Sequence, residues 1–148
     1  MGRYMTKNSV NQAMRFWEFR VETCNQHSDW SELIDFGWWV KSGILPINWV
    51  LHQIIVVLGK AANIDVAYMV IQEIEPYAAE YPEMIVEIIA LVVNNRIKDH
   101  GIFMWEKYMH PIMPVLLKSK VRSQAIDIIH KLGALGLTDF GKYLDELN

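Results

Sequence analysis

The chain is expected to be all-α, an α-solenoid of about eight helices arranged in antiparallel hairpins. Three observations carry this expectation. Apolar residues make up 52 % of the 148 positions and charged residues only 21 %, a balance that suits helices covered on more than one side and excludes a disordered chain. Helix start and stop signals are dense, whereas alternating strand-like stretches are scarce. One apolar pattern also returns along the chain at a spacing of about 36 residues.

Taken in order, the elements justify themselves by their ends. The first helix is expected over Ser9–Gln26 behind Asn8, with residues 1–8 disordered, and the second over Asp29–Ser42 behind Ser28, stopping at Gly43. The third, Pro46–Ala62, opens on a proline, whose missing N–H costs nothing in a first turn. Asp65–Ala79 follows Asn63, Pro82–Asn95 again opens on proline, and His100–Lys118 follows Asp99. Lys120–Leu135 starts after Ser119 and stops at Gly136; Asp139–Leu147 starts after Thr138. Short polar side chains at these starts accept an orphan backbone N–H, and glycine tolerates the left-handed stop. Every connection is short, so consecutive helices should fold back on one another within a single domain spanning 1–148.

The repeat is visible in "HQIIVVLG" (52–59), "VEIIALVV" (86–93) and "IDIIHKLG" (126–133). Each has a doubled isoleucine and then Leu or Val at the seventh place: Ile54, Ile55, Leu58; Ile88, Ile89, Val92; Ile128, Ile129, Leu132. Asp29, Asp65 and Asp99, at the preceding helix starts, keep the same spacing. The helices carrying these pairs have narrow polar stripes and should form the inner layer; their more charged predecessors should lie outside. Pro76 and Pro111 fall at nearly one offset in two outer helices, which predicts a bend belonging to the unit.

The period, the two-helix unit, the first-helix prolines and the Ile-Ile-x-x-Leu pattern make residues 29–147 resemble HEAT/armadillo helical repeats. Val40 stands where the first unit would have its proline, and the Asp and Arg or Lys of a standard unit are not regularly present. "RFWEFR" (15–20) and "FGWWVKSG" (36–43) are also similar to the helical tails of large prokaryotic multidomain NTPase-type proteins, although the chain has no NTPase motif. These likenesses imply a superhelical scaffold within a larger assembly.

Net charge is −3, so no global field draws the chain to nucleic acid or an acidic membrane. Cys24 is the sole cysteine, which rules out an internal disulfide. The N-terminus lacks the apolar run of a secretory signal, though Gly2 and Thr6 fit the short acylation pattern M-G-x-x-x-[ST]. The uncharged run 42–59 is broken by Pro46, Asn48, His52 and Gln53, so a buried helix is expected there rather than a membrane span. A cytoplasmic location is expected.

Candidate chemistry is thin. Trp38 and Trp39 follow Asp35 at i+3 and i+4 and cover adjoining helix faces, with Trp49 in the next helix; packing is the expected role, not an aromatic cage. In "RFWEFR", Glu18 is placed to pair with Arg15 on an amphipathic capping helix. Glu106 with His110, and Asp127 with His130, could each present two metal ligands, but no Glu-x-x-His or H-E-x-x-H accompanies them, so neither metal nor cofactor is expected. Nucleophile elbows, C-x-x-C and phosphate loops are missing, so catalysis would need a site assembled from scattered residues.

Charge is segregated instead. Between 61 and 95 lie six acids (Asp65, Glu73, Glu75, Glu80, Glu83, Glu87) and no Lys or Arg; between 96 and 142 eight bases face four acids. The expected function is therefore non-enzymatic: a scaffold or protein-interaction module whose inner helices read another protein through His52, Glu83, Glu87, Asn94 and Arg122. The alternative is a nucleic-acid-binding repeat using the basic turn Lys118, Lys120 and Arg122.

Overall fold

The first helix is capped by Thr6, not by Asn8. Thr6 Oγ1 accepts the backbone N–H of Ser9 at 3.1 Å and donates to Ser9 Oγ at 2.8 Å, the reach of an N-cap hydroxyl to the third helical residue. Lys7 and Asn8 thus belong to α1 (Lys7–His27). The structure, a computed structural model, describes residues 6–27, 43–60, 67–95 and 102–147, and no strand occurs among them. The expected helix Asp29–Ser42, with Asp35, Trp38 and Trp39, lies outside the described residues.

After α1 come α2 (Ile47–Lys60), α3 (Ala67–Ile74), α4 (Pro82–Asn95), α5 (Ile102–Met109), α6 (Ile112–Leu117), α7 (Arg122–Ala134) and α8 (Gly141–Asp145), with short 3-10 turns at Glu75–Tyr77 and Thr138–Phe140. Two long helices expected from sequence are interrupted at their prolines. Pro76 has no N–H to give, and its ring crowds the carbonyl four residues back, so the chain tightens into the 3-10 turn after Ile74. At Pro111 the break is fuller: α5 stops at Met109, and α6 starts beyond a turn through His110 and Pro111. Pro114 sits in the first turn of α6, where it costs no bond.

Caps differ from expectation too. Val121 precedes α7 without a side-chain cap, and Leu137 stands ahead of the Thr138 turn in the same way. Ser119 works one step earlier: its Oγ donates to the Leu116 carbonyl at 2.7 Å and accepts from Val121 N–H at 3.2 Å, pinning the turn between α6 and α7. Both expected glycine stops have left-handed backbones, Gly43 at φ +65 and Gly136 at φ +94. At Gly136 the bonding is a Schellman stop: Leu137 N–H reaches Leu132 O at 2.9 Å and Gly136 N–H reaches Gly133 O at 3.0 Å. Leu132 and Leu137, the two apolar residues of that motif, are both buried.

Packing follows the repeated pattern. α2 contacts α4 and α4 contacts α7, while α3 contacts α5. Ile54 and Leu58, Ile88, Ile89 and Val92, and Ile128, Ile129 and Leu132 all lie in the core at 5 % exposure or less; Ile55 is half-buried. Burying an isoleucine fully is worth about 1.5–3 kcal/mol over leaving it exposed, so the repeated pairs supply the seam joining α2, α4 and α7. The C-terminal turn with Phe140, itself fully buried, and α8 pack on α7.

At the other end, α1 turns Trp17 and Cys24 inward and leaves Phe16 and Phe19 outward at 63 % and 66 % exposure. Glu18 does not serve Arg15; its Oε1 accepts the indole N–H of Trp49 at 2.9 Å and ties α1 to α2. Of the three neighbouring tryptophans, the one described is therefore partly buried and hydrogen-bonded between helices.

Candidate functional site

Helical spacing brings the acidic residues of α4 to face a polar row on α7. Glu83, Val86, Glu87 and Ala90 recur at i, i+3, i+4 and i+7 on α4; Gln124, Asp127, Ile128 and Lys131 recur the same way on α7. Between them runs an open groove of about 350 Å³. Val86, Ala90 and Ile128 make an apolar floor, with three carboxylates against one ammonium along its sides.

The ends of the groove are cross-tied. Lys120 Nζ lies 3.2 Å from Glu83 Oε1, and Lys131 Nζ donates to Asn94 Oδ1 at 3.2 Å. Both partners of the first pair are more than two-thirds exposed, so solvent screens it and its worth is less than about 1 kcal/mol. It nonetheless changes the electrostatic picture drawn from sequence: the acidic middle and the basic far end of the chain meet across the α4–α7 seam.

The expected partner-reading residues are thus only partly gathered. Glu83 and Glu87 line the groove, and Asn94 joins it through Lys131. His52 is exposed on α2 and is not part of the lining. Arg122 is exposed, but its Nε donates to the Leu117 carbonyl at 2.8 Å, closing the turn before α7. With Lys120 held beside Glu83, the basic turn keeps Lys118 as its exposed residue with no such tie. Gln124, Asp127 and Lys131 complete the groove beyond the expected partner-reading residues; their i, i+3, i+7 spacing is the sequence signal that marks them.

A second cluster forms where the Pro111 break turns the chain. His110 stacks on Phe140 with centroids 4.2 Å apart and planes 7° apart, and its Nδ1 lies 2.8 Å from Tyr143 Oη. Its Nε2 faces Glu106 Oε1 at 3.7 Å. Asp139, from the 3-10 turn, adds a carboxylate, so that ligand atoms of Glu106, His110 and Asp139 lie within 4.8 Å of one another. Sequence spacing exposes the first two residues as a pair; the third comes from the tertiary fold.

No helix among the described residues is long and apolar enough to cross a membrane. The chain matches no family model, no curated protein and no solved structure.

Proposed function

We propose that the chain is a non-enzymatic helical-repeat scaffold that binds another protein through the groove between α4 and α7, as one part of a larger assembly. The observation that carries this reading is the groove itself: Glu83, Glu87 and Asp127 rise from helices over the floor of Val86, Ala90 and Ile128. Such a surface suits a protein segment that sets Lys or Arg against the carboxylates and an apolar side chain on the floor. Mounting these groups on packed helices lowers the ordering cost of binding. The series of contacts α2–α4–α7, with α3 on α5 beside it, supports stacked two-helix units of the HEAT/armadillo kind.

The basic turn favours nucleic acid less. Lys120 and Arg122 are engaged within the chain, and the carboxylates alongside would repel a phosphate backbone. A tagged chain drawn from cytoplasmic extract of its source cells, with and without nuclease, tests the proposal. A protein companion that survives nuclease supports it. Recovery of nucleic acid alone, or only of nuclease-sensitive companions, overturns it.

A further inference from the structure

We infer that Glu106, His110 and Asp139 form a binding site for a divalent transition-metal ion of the zinc class. None of the three lines the α4–α7 groove. They come from three local settings: the last turn of α5, the turn at the Pro111 break, and the 3-10 turn ahead of α8. Their ligand atoms lie within 4.8 Å of one another.

The imidazole is set for ligation on both sides. Stacking on Phe140 fixes the ring plane, and Tyr143 Oη sits at hydrogen-bond distance from Nδ1. In the tautomer that donates the Nδ1 proton to that oxygen, Nε2 keeps a lone pair on the side of Glu106. This arrangement, one ring nitrogen on an outer partner and the other free, is what metal-bound histidines use. The 3.7 Å between Nε2 and Glu106 Oε1 is too long for a hydrogen bond. It is close to the ~3.4 Å that two donors keep when each is bound at ~2.1 Å to a tetrahedral ion. Asp139 is exposed, and binding an ion would need its carboxylate to close the remaining distance by side-chain rotation.

The donor set also selects the ion. Magnesium and calcium take oxygen shells, whereas one imidazole with two carboxylates suits zinc and its neighbours. No thiolate is present to draw copper(I) or an iron–sulfur cluster. Three protein donors leave a fourth position for water. Glu106 and His110 are about one-quarter exposed, at 24 % and 25 %, so the site is open to entry yet partly shielded. A bound ion would tie the end of α5 to the C-terminal turn.

The test uses the full chain, stripped of metal and titrated with zinc chloride by calorimetry and with cobalt(II) by visible absorption. Uptake of one ion per chain is expected, with Asp139→Asn weakening it at least about tenfold and Tyr143→Phe, which removes only the outer partner, weakening it by about tenfold as well. Asp139→Asn, at an exposed position, leaves the core untouched. Absence of binding by the parent chain overturns the inference. So does equal affinity in the parent and in Asp139→Asn, which would place the ion on other histidines such as His52 or His130.

Discussion

Gly133 and Gly136 lie three residues apart in one helix stop, yet the same substitution at each should shift stability in opposite directions. Gly136 has φ +94, where an L side chain is strained by about 1–2 kcal/mol. Gly133 is inside α7, where alanine is favoured over glycine by about 0.5–1 kcal/mol. A Cβ built at either position meets no atom within 4 Å, so neither a clash nor a new contact enters the balance. The loss of unfolded-chain freedom on going from glycine to alanine is common to both sites and cancels in the comparison. Gly133→Ala should therefore raise, and Gly136→Ala lower, the free energy of unfolding, with a spread of about 1–2 kcal/mol between them, set by the strain at Gly136. Equilibrium urea unfolding reads this as midpoints moving apart at constant slope. Midpoints that move together would refute the assignment of a Schellman stop at Leu132–Leu137.

Three further outcomes follow from contacts already described. Ile89→Ala empties a fully buried place in the α2–α4–α7 seam and should cost about 2–5 kcal/mol in the same assay; a loss under about 1 kcal/mol would mean that the seam is not the core. Trp49→Phe removes the donor to Glu18 and should cost about 0.5–1.5 kcal/mol, with non-additivity in a double-mutant cycle with Glu18→Ala; strict additivity would deny that this bond joins α1 to α2. Partial burial first, and then the Glu80 carboxylate, lift the Tyr81 phenol above its ordinary value of 10.0. The native state then holds that proton more tightly than the unfolded chain, so the contribution is complete below about pH 10 and lost as pH rises through the folded value. Tyr81→Phe should flatten the alkaline limb of the stability profile, and Glu80→Gln should lower the phenol's midpoint in an ultraviolet titration; an unmoved midpoint would count against the Glu80 effect.

Local chemistry that repeats was legible in the sequence, and chemistry created by tertiary approach was not. The Ile-Ile-x-x-Leu pattern marks core positions of α2, α4 and α7 because burial on a helix follows its period. Gly43 and Gly136 announce their left-handed backbones because few other residues tolerate them. The prolines signalled a disturbance, but a bend was expected where the chain tightens at Pro76 and breaks at Pro111, since the cost of continuing a helix depends on what neighbours can offset it. Thr6 is hidden as a cap because Asn8 carries an equally suitable oxygen nearer the apolar run. Lys120 beside Glu83, Lys131 beside Asn94 and Asp139 beside His110 join distant segments, and no spacing rule encodes such meetings. His52 has the polarity expected of a partner-reading residue in an apolar helix, yet α2 carries it clear of the groove.

The most direct test of recognition through the α4–α7 groove is the affinity of the Glu83→Lys, Glu87→Lys double variant for a protein captured by the parent chain. Both residues are exposed and the ion pair lost with them is a screened one, so the fold should change by less than about 1 kcal/mol. Two reversed charges in the lining should nevertheless weaken capture by more than about tenfold. Unchanged affinity in a folded variant would contradict the account and move recognition to another face of the chain.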